Sequence, residues 1–389
     1  MSKKPWVATY RLQLHSEFTL ADAERVLPYL KQLGISHVYL SPVMQAAPGS
    51  QHGYDVADPT RINDELGGEP AWDSFQAAAR REGLGILLDI VPNHMTTHSS
   101  NPWWADVLAH GPFSPHRHTF DFGPPNLDSP WPIAVCTLGK PYGRVVEDGE
   151  LSIELDSGLP EVAYFDQRFP TSPASWGPLL EGSPVQSEIA ALHELRITAE
   201  PDSLTIAAYQ SHARHVLEGA RSWLADPARR EAIHARAQAI AADPRGLDAF
   251  LAKQFYRLAW WKLEGEIVNY RRFFNIGTLV GVRVEQEEIF TRVHARVARM
   301  IEAGEIAGVR VDHPDGLRDP SGYLERLRQL VPNGRIFVEK ILDSEETLPD
   351  AWTIDGSVGY EFLSKVNRLW MDENNADALT ASYADFTGH

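Results

Sequence analysis

The sequence predicts an α/β fold, a parallel (β/α)8-type barrel that is incomplete, with about six strands, and that carries a large insertion after the third strand. Three observations carry this prediction. Short apolar, β-branched runs recur along the chain, as buried parallel strands require. Amphipathic helical segments flank them, the alternation expected of βα units. Polar residues gather at the C-terminal end of the runs, where a barrel of this kind builds its active site from the loops after the strands.

The first run covers residues 6–14 and contains Thr9-Tyr10-Arg11-Leu12-Gln13-Leu14. An amphipathic segment at 21–33 follows, then the second run, Ile35-Ser36-His37-Val38-Tyr39-Leu40-Ser41, and a loop with His52-Gly53-Tyr54-Asp55. After a second amphipathic segment at 71–82 comes Gly85-Ile86-Leu87-Leu88-Asp89-Ile90-Val91-Pro92-Asn93-His94. These stretches make residues 1–94 the first part of a catalytic barrel. Residues 95–305 form the insertion. Its first part, 95–184, is rich in Pro, Gly and aromatics, with alternating runs such as Leu151-Ser152-Ile153-Glu154-Leu155. Its second part, 185–305, reads as helical, with alanine-rich amphipathic segments at 204–224 and 229–242. The barrel resumes over 306–389 with runs at 306–312 and 335–341, a sixth near 352–355, and one helix-like segment at 362–386.

The most informative stretch is Gly308-Val309-Arg310-Val311-Asp312-His313-Pro314-Asp315-Gly316-Leu317. Side chains alternate along a strand, so Arg310 and Asp312 point to one side. A cation there is expected to keep the carboxylate ionised, as a nucleophile requires. Ile336-Phe337-Val338-Glu339-Lys340 ends in a second carboxylate. One such pair alone is an ordinary ion pair. Polar groups at four strand ends are not, because a packed core places aliphatic residues there.

Asp89-Ile90-Val91-Pro92-Asn93-His94, Arg310-Val311-Asp312 and Val338-Glu339-Lys340 resemble three sequence blocks of the α-amylase superfamily of retaining glycosidases. The resemblance implies a TIM barrel with a domain inserted after the third strand. It makes Asp312 the nucleophile and Glu339 the general acid/base, with Arg310 orienting the nucleophile. Asp89, His94 and Tyr54 line the subsite for the attacked sugar, and Asp55, His313 and Lys340 complete the candidate substrate-binding set. Asp315 and Gly316 stand where general α-amylases carry a lysine-histidine pair, a departure that fits the trehalose-forming mutases. So do Asn101-Pro102-Trp103-Trp104, Asn269-Tyr270-Arg271-Arg272-Phe273-Phe274 and Asp355-Gly356-Ser357-Val358-Gly359-Tyr360. The implied reaction is an intramolecular transglucosylation on a maltooligosaccharide, giving an α,α-1,1 link; the alternatives are an α-1,4-glucan hydrolase and an inactive carbohydrate-binding fragment. The superfamily's third carboxylate follows a seventh strand that is absent from this sequence. The chain is therefore expected to be an N-terminal fragment, inactive alone.

Other residues stay open at this stage. Trp103 and Trp104 either stack on sugar or belong to the core. Arg271 and Arg272 either contact substrate or tie the insertion to the barrel. Asn93 occupies a calcium-binding place in many amylases, yet the six or more oxygens such an ion needs are not evident, so neither metal nor cofactor is expected. His15 and the histidines from His110 to His118 read as surface residues. With 389 residues, 43% of them hydrophobic, the chain can bury a large core. A net charge of −17 with no basic block argues against nucleic acid and anionic membranes as partners. A single cysteine, Cys136, and a start, Met1-Ser2-Lys3-Lys4-Pro5-Trp6, without an apolar signal core suggest a cytoplasmic protein. Oligomeric state is not legible.

Overall fold

The apolar runs pair with one another in parallel, and those at 85–90 and 308–311, buried on both faces, have no alternating pattern to set against solvent. The computed structural model describes residues 5–123, 131–195, 200–343 and 345–388. Residues 1–4, on which the reading of the chain's start rests, lie outside these. Six strands form one sheet: β1 (Thr9–Leu12), β2 (His37–Leu40), β3 (Gly85–Ile90), β4 (Gly308–Val311), β5 (Arg335–Val338) and β6 (Gly356–Ser357). Every neighbouring pair is parallel, and spatial order follows chain order. This is an α/β fold with the strand succession of an incomplete TIM barrel, as the sequence predicts.

Helix α1 (Leu20–Gln32) starts at Thr19, whose backbone and hydroxyl both donate to Asp22 at 2.8 Å and so hold the first turn. It buries Leu20, Ala23, Leu27 and Leu30, and α2 (Gly68–Arg81) buries Trp72, Phe75 and Ala79. Helix α3 (Ala295–Glu302) precedes β4 and is fastened to the α2 side by Arg296–Glu69 at 2.8 Å. Helix α4 (Pro320–Leu330) begins with Pro320 after an Asp319 cap that accepts from Gly322 N, and its last turn leads to β5.

Between β3 and β4 the chain builds several small units. Leu151–Glu154, Glu161–Tyr164 and Gln167–Pro170 form an antiparallel sheet, and Tyr256–Trp260 pairs in parallel with Ile133–Leu138. Long helices at Ser203–Leu224 and Pro227–Ala242 are capped by Asp202 and Asp226. A hairpin, Arg272–Phe273 with Ile276–Gly281, pairs with His94–Thr96, so it reaches the end of β3 directly. The three strands within 256–281 differ from the helical reading of this segment; at two to six residues each, they are too short for a periodicity to register.

One open reading is settled and several expectations are corrected. Trp103 and Trp104 are both buried: Trp103 stacks on His116 under the Arg292 guanidinium, and Trp104 packs with Phe120, Phe122 and Tyr270. Neither can meet sugar. His110 and His116 are not surface residues either, since one contacts the Tyr209 hydroxyl and the other Arg292. The sixth strand lies at Gly356–Ser357 rather than 352–355, and the Asp355 carboxylate just before it binds Arg328, Arg335 and the Ile336 N–H. The helix-like segment at 362–386 divides into α5 (Tyr360–Arg368) and α6 (Ala376–Thr387), with Asp372 capping a turn between them.

Neither α5 nor α6 contains a buried residue. Phe362, Leu369, Trp370, Met371, Leu379, Tyr383 and Phe386 are exposed, Trp370 by 87% and Phe386 by 90%. No helix among the described residues is long and apolar enough to cross a membrane. An apolar surface beside an open strand edge favours association. Concentration-dependent mass by light scattering is therefore expected, and Trp370→Ser with Phe386→Ser should reduce it while changing stability by about 0.5 kcal/mol or less. A wild-type mass that stays monomeric at all concentrations would contradict this.

Candidate active site

The registers of β3, β4 and β5 fix the centre. Arg310 lies opposite Asp89 on β3 and Phe337 on β5, and Val311 lies opposite Ile90 and Val338. The apolar residues Val309, Val311, Leu88, Ile336 and Val338 are buried and hold this register. Arg310 and Asp312 share the face that alternates with them. One Arg310 nitrogen, Nη1, donates to Asp89 Oδ1 and Asp312 Oδ1, both at 2.8 Å. The other terminal nitrogen, Nη2, lies 3.0 Å from Glu339 Oε1. Glu339 is fixed again by the His313 backbone N–H at 3.2 Å and by its own N–H bonding to Val311 O. Three carboxylates thus converge on one buried guanidinium.

The electrostatics differ from the sequence expectation. Burial, then the Asp89 and Glu339 charges, push the Asp312 carboxyl up to about 7, although Arg310 acts in the opposite direction. A lone guanidinium shared among three acids does not offset the desolvation of one of them. Burial would lower the Arg310 pKa, but Asp89, Tyr39 and Asp312 outweigh it and raise it.

Asp89 is the hub of the adjoining wall, with its side chain wholly buried. Its Oδ2 accepts from the Tyr54 hydroxyl at 2.6 Å, the Tyr39 hydroxyl at 3.0 Å and Arg11 Nη1 at 3.1 Å. Both tyrosines are raised well above the usual phenol range, chiefly by burial and then by the Asp89 charge, so they act as donors. The Tyr54 loop turns at Gly53, whose φ is 78° and where a Cβ would lie 2.6 Å from Pro42 O. Only glycine fits that approach.

On the other side, His94 is buried, and its Nε2 has no hydrogen-bond partner among the described residues. Burial first and the nearby His313 second bring it down to about 3, so its ring is neutral at physiological pH. The insertion hairpin places Phe273 at 4.4 Å from the His94 ring and 4.9 Å from that of His313, with Phe274 at 5.0 Å from His313. His313 and Phe274 both sit at positive φ, 44° and 50°, a conformation that costs roughly 1–2 kcal/mol for a non-glycine residue. Arg271 binds Asp121 at 2.9 Å, Asn93 Oδ1 at 2.6 Å, Gly316 O at 3.1 Å and Val282 O at 2.9 Å. Arg272 binds Glu264. Of the two readings left open for this pair, the tie between insertion and barrel holds for Arg271, whose partners Asn93 and Gly316 lie outside residues 95–305, whereas the Arg272 ion pair with Glu264 stays within them. The Asn93 oxygen is engaged by that guanidinium, and among the described residues no three His, Cys, Asp or Glu side chains cluster to hold a metal ion.

Asp312, Glu339, Arg310, Asp89, Tyr54, His94 and His313 are thus brought together. Asp55 and Lys340 are not part of the cluster. Asp55 accepts from Ser50 Oγ and stays in its own loop, while Lys340 is paired with Asp315 at 3.2 Å and Glu346 at 2.7 Å. Arg11 and Tyr39, which the sequence reading did not place at the site, belong to it. Their signal was available: both lie at strand ends, Arg11 in register with Tyr39.

Comparison with known proteins gives the geometry a context. The family described as "Alpha amylase, catalytic domain" matches residues 23–129. A Mycobacterium tuberculosis protein assigned as a maltooligosyl trehalose synthase is 34% identical over 385 residues, 97% of this chain and 40% of that protein. The structure of maltooligosyltrehalose synthase from Arthrobacter ramosus is 31% identical, with a TM-score of 0.73 over 99% of this chain and 41% of that one. A Sulfolobus tokodaii structure, described as a hypothetical maltooligosyl trehalose synthase, is 32% identical with a TM-score of 0.70, over 98% and 41%. The chain thus spans about two fifths of the length of these relatives.

The raised Asp312 carboxyl makes a prediction with a definite sign. Its folded value, about 7, lies above the ordinary 3.8. The folded state therefore holds the extra proton between these values, and this group's contribution to stability falls as pH rises through that window. Asp312→Asn removes the penalty. Its melting temperature should exceed that of the wild type at pH 8, by a gain on the order of 1 kcal/mol or more, and the difference should shrink at pH 4. A variant equally or less stable at pH 8 would show that Arg310 compensates the charge fully.

Proposed function

We infer that the chain, which belongs to the α-amylase superfamily, carries the nucleophile and the acid/base of a retaining enzyme that rearranges the reducing end of a maltooligosaccharide into an α,α-1,1-linked trehalosyl end. The observation that carries this reading is the shared guanidinium: Arg310 holds Asp312, Glu339 and Asp89 at the C-terminal ends of adjacent parallel strands. Similarity to maltooligosyltrehalose synthases along 97% of the chain supports the particular reaction.

In the proposed first step an Asp312 oxygen attacks the anomeric carbon of the penultimate glucose. The bond to the terminal glucose breaks as Glu339 gives its proton to the leaving oxygen. In the second, the released glucose turns and offers its anomeric hydroxyl to the ester. Glu339 takes that proton, the new glycosidic bond forms, and Asp312 leaves as a carboxylate. Two inversions retain the α configuration. Tyr54 and Asp89 would hold the attacked sugar, and the neutral His94 could donate to or accept from a sugar hydroxyl with its unpartnered Nε2. Phe273 and Phe274 close the other side with apolar surface, which disfavours water as the acceptor. We assign residues 1–94 and 306–389 to the barrel and 95–305 to the insertion, and place the enzyme in the cytoplasm, where a single thiol stays reduced.

Glu339→Gln, made in a protein that also supplies the third carboxylate, tests the acid. An amide cannot protonate a poor leaving group, so turnover of maltopentaose should fall by about a hundredfold or more, while an α-glucosyl fluoride still loads Asp312, seen as a mass increase on its peptide. Equal loss with both donors would remove Glu339 from the acid role. In the wild-type reaction reducing ends should disappear; if they multiply, the enzyme is a hydrolase.

A further inference from the structure

Two polar side chains of β1 and its continuation stand at the barrel mouth with no part in the proposed steps. Arg11 and Gln13 are two apart, and their ends meet: Arg11 Nη2 donates to Gln13 Oε1 at 3.0 Å. The same Nη2 donates to the Tyr54 hydroxyl at 2.9 Å, and Nη1 donates to Asp89 at 3.1 Å. The guanidinium carbon lies 4.7 Å from the centre of the Tyr39 ring. Gln13 in turn donates to the carbonyls of Gln51 at 3.3 Å and His52 at 3.2 Å, immediately before Tyr54 in the chain. The first strand therefore grips the Tyr54 loop twice, once through its main chain and once through the phenol.

We propose that Arg11 and Gln13 are positioning residues that fix the Tyr54 ring as a platform for the sugar bound at the nucleophile. The proposal rests on the reading of Tyr54 as a substrate contact. The Tyr54 hydroxyl donates to Asp89 and accepts from Arg11. Two partners in different directions define its ring plane, whereas Asp89 alone leaves the ring free to swing about one hydrogen bond. Arg11 can do this because its planar fork serves three acceptors at once; an ammonium is a point charge and cannot. A simpler role, neutralising the buried Asp89, would need only the charge. The two roles therefore part company at Arg11→Lys.

The test uses the whole chain labelled with 3-fluorotyrosine, with the Tyr54 resonance identified by its loss in Tyr54→Phe. Maltopentaose affinity is measured by calorimetry on the same samples. Arg11→Ala and Arg11→Lys should both shift or broaden the Tyr54 resonance and weaken binding about tenfold or more, the usual loss for a charged hydrogen bond. The Arg11 side chain is 33% exposed, so millimolar ethylguanidine should enter the space left in Arg11→Ala and restore both readouts. Gln13→Ala should move both in the same direction by less. If Arg11→Ala does not fold, Arg11→Lys and Gln13→Ala still decide the matter. Wild-type resonance and affinity in Arg11→Lys would overturn the proposal and leave charge neutralisation alone. A displaced Tyr54 with unchanged affinity would uphold the positioning and remove Tyr54 from the sugar site instead.

Discussion

The sharing of one guanidinium among three carboxylates is the constraint on which the rest of the site depends. Asp89, Asp312 and Glu339 come from three different strand ends and would repel one another if placed together without a cation. Arg310 can serve all three because its terminal nitrogens diverge in a fixed plane. That geometry is available only while β3, β4 and β5 keep their register, since a slip of one residue would turn Arg310 and Asp312 towards the opposite face. The aliphatic side chains that alternate with them therefore hold the chemistry in place from the far side of the sheet.

Burial makes this arrangement costly, and the cost falls on the proposed nucleophile. Asp312 is pushed up to about 7 because removal from water outweighs its third of a guanidinium. Asp89 has more donors: Tyr54, Tyr39 and Arg11 all reach Oδ2, while Arg310 takes Oδ1. The two aspartates are close in the fold yet differently supplied with hydrogen-bond donors. Storing strain of this kind at a site, with stability lost elsewhere in pH, is the usual exchange between stability and activity.

Much of this was legible in the sequence, for a physical reason. Strand ends carry polar residues only where something other than packing requires them, so Asp89, Arg310, Asp312 and Glu339 stood out as a group. What the sequence could not give was direction and partner. Asp55 and Lys340 adjoin site residues in the chain, but one turns back to Ser50 and the other is held by Asp315 and Glu346. Arg11 and Tyr39 reach Asp89 across 78 and 50 residues of chain, a contact that no local pattern encodes. For the tryptophan pair the core reading holds. Both faces of Pro102–His110 are covered, one by His116 and Arg292, the other by Phe120, Phe122 and Tyr270, which no local pattern shows. A sixth strand of two residues gives too little sequence to locate at all.

The insertion is a working wall of the site rather than an appendage, and Arg271 is why. Its guanidinium joins Asp121 and Val282 of the insertion to Asn93 after β3 and to Gly316 after β4. Gly316 has to be glycine there, because a Cβ would come 2.8 Å from Asn93 Oδ1 and closer still to the His313 ring. The hairpin that carries Arg271 continues into Phe273 and Phe274, so the same tie that fixes the loops fixes the aromatic cover over His94 and His313. An arginine at the centre thus holds three carboxylates together, and an arginine at the edge ties the neighbouring loops to them. Both do so by the same means, a planar fork with several acceptors, and neither could be replaced by lysine without giving up one side of the cross-link.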